Sequence, residues 1–345
     1  MVNTLSDKAL IDVKALANII GKASTGWGLA SDDAVILNGS RLEGLANDQS
    51  DVDAWIILSD QDHDRSVPVF DWLQGLHLNM SSYSRVMVEQ LGEQLNALHE
   101  IDYEPLVALP INTLDRYYRV CSAYPVVNQP VLDCLQEVFS LPHLTRLLLA
   151  WTGLRVALEL DKARHALEFG RPQQALLCVR RAAESAIDHL LASRGEVYPS
   201  LKWRFEKLAR CAGSDSPAYR EAWSLKAPGA RDAASYLGAV EAYAATVGAG
   251  SYPVVPSRLQ RAPSTQLFEL GGRCYLVQGK AVLFELNPGG RWLWERLDGT
   301  RTEPELLAEY ADACPTAGRA AQGWMTFLSQ LLAAGLASYT TDTLF

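Results

Sequence analysis

The stretch from Val35 to Leu58 constrains this chain more than any other. Val35-Ile36-Leu37 is short, apolar and β-branched, and it ends in Asn38-Gly39, so it reads as a buried strand closed by a turn. Ten residues separate Ser40 from Asp51-Val52-Asp53, whose acidic pair opens a second apolar run, Ala54 to Leu58. Strand side chains alternate, so Asp51 and Asp53 share one face. Two carboxylates at i and i+2 repel each other unless a cation lies between them. A hard cation such as Mg²⁺ suits oxygen donors of this kind, with substrate phosphates completing its shell. Gly39 permits close approach of backbone to phosphate, and Ser40 adds a hydroxyl.

Gly39-Ser40, ten residues, then Asp51-x-Asp53 inside an apolar strand resembles the polymerase-β-like nucleotidyltransferases. The resemblance implies that Gly39 and Ser40 grip the triphosphate of ATP or another nucleoside triphosphate. It implies further that Asp51 and Asp53 are catalytic and hold Mg²⁺, with Arg41 or Lys202 neutralising developing charge. The family commonly places a third carboxylate on the strand after the Asp-x-Asp strand, where this chain has Asn79. An amide cannot deprotonate and is the poorer Mg²⁺ ligand. Either the chain is an inactive relative, or two carboxylates suffice, or the third comes from elsewhere, as in kanamycin nucleotidyltransferase, whose base comes from a helical second domain. Asp71 and His77 are nearby alternatives.

The net charge of −9 argues against a broad duplex-binding surface, which needs a basic face. No apolar run reaches membrane-spanning length, and no signal-peptide core opens the chain. Cys121, Cys134, Cys178, Cys211, Cys274 and Cys314 are scattered without a CxxC pair, so a reducing cytoplasm is the simplest location.

Residues from about 112 to 248 read as almost wholly helical. The amphipathic run from Leu144 stops at Gly170-Arg171-Pro172, and the next helix spans Gln173 to Arg194. This antiparallel bundle resembles the helical domain of kanamycin-type enzymes and of HEPN proteins. The HEPN ribonuclease spacing is missing, because Arg181 and His189 lie too far apart. Glu184 is the candidate for the missing base on this bundle, although pairing with Arg180 or Arg181 on a solvated face accounts for it equally well. Lys202, at a helix start, is placed to reach a triphosphate.

Gly248 to Ser264 is rich in Gly and Pro without an apolar period and reads as a linker. Beyond it, Gln266–Leu270 and Arg273–Val277 flank Gly271-Gly272 as a hairpin, Ala281–Leu286 is a third strand, and three helical segments follow. This order, with Leu286-Asn287 before the first helix and Trp294-Glu295-Arg296-Leu297-Asp298-Gly299 at its end, resembles the PqqD-like peptide-recognition domains. Those winged-helix modules bind leader segments of ribosomal precursor peptides. The resemblance implies strand addition along Val282, Leu283 and Phe284, with Trp324, Phe327 and Leu331 lining the groove beside the last helix. Some of these residues must instead belong to the core.

The expected protein is therefore multidomain α+β: a nucleotidyltransferase core at 1–110, a helical bundle at 111–250, a linker at 251–264 and a PqqD-like domain at 265–345. The expected activity is Mg²⁺-dependent nucleotidyl transfer to a precursor peptide held by its leader. The rivals are a catalytically degenerate adaptor that presents the peptide to a partner maturation enzyme, and an aminoglycoside-type enzyme acting on a small molecule.

Overall fold

Strands β1 (Ala34–Asn38), β2 (Val52–Leu58), β3 (Phe70–Leu73), β4 (Leu76–Ser84) and β5 (Tyr124–Val127) form one sheet in the order β3-β4-β2-β1-β5. The computed structural model describes residues 7–47, 49–59, 70–73, 76–278, 281–313, 326–328, 330–332 and 334–340. The fold is mixed α+β and divides into two compact units, one up to Pro253 and one from Val254 to Leu344.

In the first unit, β2 and β4 run parallel and the other strand pairs antiparallel. Every residue of β1 is buried, as a strand apolar on both faces requires. Helix α1 (Asp7–Ser24) contributes Val13, Leu16 and Ile20 to the core that covers one side. Asp33 fastens the far end of the sheet. Its carboxylate, fully buried, accepts the Ala30 N–H at 2.8 Å and both the N–H and the hydroxyl of Ser59 at 2.8 and 2.9 Å. After β4 come α2 (Arg85–Asn96), α3 (Tyr103–Val107) and α4 (Ile111–Cys121). Ser84 caps α2 by accepting the Met87 N–H at 3.2 Å.

The segment expected to be helical from about residue 112 contains β5, which pairs with β1 at the sheet edge. Pro125 lies within this strand, and an edge is where a strand tolerates the missing N–H. Helices α5 (Gln129–Val138), α6 (Leu141–Glu168), α7 (Pro172–Ser193), α8 (Arg204–Ala212), α9 (Pro217–Ser224) and α10 (Ala233–Thr246) build the bundle. Ala182, Ala183 and Ala186 of α7 are buried in the core it shares with α6 and α10. Small side chains there let the long helices approach closely.

In the second unit, β6 (Arg258–Arg261), β7 (Thr265–Leu270), β8 (Arg273–Gln278) and β9 (Ala281–Leu286) precede α11 (Pro288–Arg296), β10 (Asp298–Thr302), α12 (Glu303–Ala313) and β11 (Ala337–Tyr339). One sheet has the order β7-β8-β9, the other β10-β6-β11. Gly271 and Gly272 both have positive φ, 58° and 77°, which is what the two-residue turn between β7 and β8 needs. Asn287 caps α11, accepting the Gly290 N–H at 2.7 Å. Residues 258–261, within the span read as linker, are the central strand of the second sheet. Arg-Leu-Gln-Arg carries one apolar residue, Leu259, and it is fully buried, so burial and pairing on both edges define this strand rather than any run of strand formers.

Candidate active site in the first unit and exposed apolar face in the second

Asn38, at the end of β1, lies opposite Asp53 of β2, and Asp53 lies opposite Asn79 of β4. Gly39 turns out of β1 with φ 84°. Asp53 packs against it so tightly that a Cβ on Gly39 would fall 2.1 Å from Asp53 Oδ2. The peptide after β1 and the acid of β2 thus occupy adjoining positions because only glycine fits between them. Ser40 is buried, and its carbonyl accepts the N–H groups of Leu45 and Ala46, which closes the loop over residues 39–46.

Asn79, the residue standing where a third carboxylate was expected, donates from Nδ2 to Asp53 Oδ1 at 3.0 Å. Arg119 of α4 sets its Nη1 3.6 Å from Asp53 Oδ2. The same guanidinium donates from Nε to Asp115 Oδ2 at 2.6 Å and from Nη1 to Asn38 Oδ1 at 2.6 Å. Burial raises the Asp53 pKa above its ordinary value; Arg119, the Asn79 hydrogen bond and Lys202 pull it down, and Asp51 pushes it up. Burial works against the Arg119 charge, but Asp115 and Asp53 outweigh it and hold its pKa above the ordinary value. Tyr198, just before the short helical turn that carries Lys202, feels Arg119, Asp115 and Asp53, and burial pushes its hydroxyl up to about 12. Two polar atoms of this group, Asn38 Nδ2 and Asp115 Oδ1, are buried without a hydrogen-bond partner.

The expected site residues separate accordingly. Gly39 adjoins Asp53, and Asp51 and Lys202 are near enough for their charges to act on Asp53. Arg41 is half-buried and committed to backbone, its Nε donating to the Asp51 carbonyl at 3.2 Å and its Nη2 to that of Ser50 at 2.5 Å. It fastens the loop ahead of β2 and is not a free cation for phosphate. Glu184 is held in ion pairs with Arg180 at 3.1 Å and Arg204 at 3.6 Å, so the solvated-face pairing accounts for it and an unengaged base does not. His77 packs against Trp72 with the rings tilted, their centroids 5.2 Å apart. Asp115 and Arg119 were missed. Their signal in the chain is an acid four residues before an arginine on a helix, a spacing common enough on solvated faces to carry no weight alone.

Glu43 ties the 39–46 loop to the helices. It accepts from Tyr118 at 2.7 Å, and burial raises its pKa. Its backbone carbonyl accepts from Arg210 of α8, which also pairs with Glu196 at 2.5 Å. The loop that would meet a phosphate is therefore clamped from α4 and α8.

In the second unit, Val282 is 63% exposed on β9, while Leu283 and Phe284 are half-buried. Phe327 is half-buried and meets Phe284 edge to face at 5.9 Å. Leu331 is fully buried among Leu293, Trp294 and Leu306. It is a core residue rather than a groove anchor. Trp324 lies outside the described residues. Phe268 and Leu270 of β7 add to the exposed apolar surface of this sheet.

No curated protein matches the chain. A crystal structure of a nucleotidyltransferase-like protein from Exiguobacterium sibiricum is similar, with 15% identity and a TM-score of 0.38 over 68% of this chain and 77% of that one. Residues 275–337 match the PqqD family, Coenzyme PQQ synthesis protein D, so the second unit of this chain carries a PqqD domain.

Proposed function

We propose that this protein holds the leader of a ribosomally made precursor peptide on its C-terminal unit and transfers a nucleotidyl group to that peptide at the site around Asp53. The PqqD match supports the peptide half and disfavours a small-molecule, aminoglycoside-type substrate. The observation that supports the other half is the contact of Gly39 with Asp53 at the ends of β1 and β2, where a turn that admits only glycine adjoins a partly buried acid on which the charges of Asp51 and Lys202 act.

Asp51 and Asp53 fit one Mg²⁺. Asp53 Oδ2 lies 3.6 Å from Arg119, beyond hydrogen-bond reach, so it keeps lone pairs, and two carboxylates with a triphosphate are a usual Mg²⁺ set. Bound there, the ion would supply charge neutralisation on the phosphate oxygens. The chain's own residues do the rest. Gly39 brings backbone to the phosphates, and Lys202 adds positive charge to the surroundings of Asp53. The Glu43 clamp holds the loop in place, so little order is lost when nucleotide arrives. A nucleotide-dependent reaction of this kind belongs to the cytoplasm. Among the described residues, no helix is long and apolar enough to cross a membrane.

One observation favours a second reading. The Asn79 amide spends a donor on Asp53 where a third carboxylate would stand. An adaptor that binds nucleotide and presents the peptide to a partner maturation enzyme needs no such carboxylate. Weighing a cognate precursor peptide after incubation with the protein, Mg²⁺ and each nucleoside triphosphate separates the two. Transfer adds the mass of one nucleotidyl group, and the addition disappears with Asp53→Asn. An unchanged peptide with every triphosphate supports the adaptor.

A further inference from the structure

The group around Asp53 already contains a cation. Arg119 is fixed from two sides, by the Asp115 carboxylate at 2.6 Å and the Asn38 amide oxygen at 2.6 Å. Its Nη1 faces Asp53 Oδ2 at 3.6 Å. The side chains of Arg119 and Asp53 are only 19% and 15% exposed, so water screens the pair weakly. Beside the guanidinium, Asn38, which is 1% exposed, keeps an unpaired N–H donor on Nδ2. A buried donor without an acceptor next to a fixed positive charge suits an anionic oxygen.

We propose that Arg119 is a resident cation of the nucleotide site, which with the spare Asn38 donor binds phosphate oxygens directly, so that nucleotide binding persists without a divalent ion. This rests on the nucleotide reading above. In a site with only two carboxylates and an amide at the third position, the guanidinium takes over the charge role that a further metal ion would fill. Asp115 acts through Arg119 as a positioning residue, since its bond to Nε fixes the plane of the guanidinium.

Calorimetric titration of the full chain with ATP, once in excess EDTA and once in Mg²⁺, tests this. The wild type should bind in EDTA, and Arg119→Gln should weaken that binding by about 10–100-fold, the worth of hydrogen bonds to a charged group. The same substitution should cost less in Mg²⁺, and Arg119→Lys should restore part of the loss. Asp115→Asn should weaken binding in EDTA by a smaller factor, with an unchanged circular dichroism spectrum showing that the fold persists. Binding confined to Mg²⁺ overturns the proposal and leaves the nucleotide site standing. Equal EDTA affinity for wild type and Arg119→Gln also overturns it. No binding under either condition overturns both.

Discussion

At the scale of single residues, Asp53 is poised between two needs. It accepts a hydrogen bond from Asn79, faces Arg119, and lies against Gly39. Its raised pKa gives its effect on stability a sign. Between its unfolded and folded pKa, the folded state binds the extra proton, so this contribution is full below the ordinary carboxylate pKa and is lost as pH rises through the folded value. The unfolding free energy of wild type relative to Asp53→Asn should therefore fall as pH rises through the window just above 3.8. A difference that grows with pH contradicts the assignment. Asn79→Asp places two carboxylates directly opposite on β2 and β4, which without metal should cost about 1 kcal/mol. Mg²⁺ should recover that loss, read as a thermal shift on adding the ion. Gly39→Ala meets both a positive φ and a contact at 2.1 Å, so it should destabilise by about 1–3 kcal/mol in a denaturant melt. The place of Asp53 beside Gly39 was legible from the two strands and their spacing. The Asp115–Arg119 pair was not, because an i, i+4 ion pair says nothing of what lies across from it.

At the scale of elements, α4 matters most to the site and was the least conspicuous. It sets Arg119 against β1 and β2 and hands Tyr118 to the loop through Glu43. The edge strand β5 went unread because Pro125 breaks its pattern, and β6 because Leu259 is its one apolar residue. Both are defined by partners distant in the chain. The α7 helix was read correctly in extent, but its Glu184 belongs to an arginine pair. Glu184→Gln should change peptide modification by less than about threefold, as suits a partly exposed ion pair worth about 0–1 kcal/mol. A large loss of turnover would reinstate it as the base. On β9, Leu283→Pro removes an N–H from a sheet strand and should abolish leader binding or unfold the second unit. Charging Phe327, which packs on Phe284, should weaken the leader strongly, as anisotropy with a labelled leader would read.

At the scale of the whole molecule, the chain joins two compact units, the boundary falling at Pro253 and Val254. The β7-β8-β9 sheet and α11 of the second were legible, since the hairpin glycines and the Asn287 cap are local signals that agree with one another, whereas the β10-β6-β11 sheet was not. The first was legible at its centre and poorly at its periphery, where pairing depends on contacts between remote segments. Leader recognition, as proposed, belongs to the second unit alone. Its most direct test is titration of a labelled cognate leader against three proteins: the full chain, a chain ending at Pro253, and the segment from Val254 to the end. The full chain and the isolated second unit should bind the leader with similar affinity, and the chain ending at Pro253 should not bind it. Equal leader affinity for the chain ending at Pro253 would contradict the account.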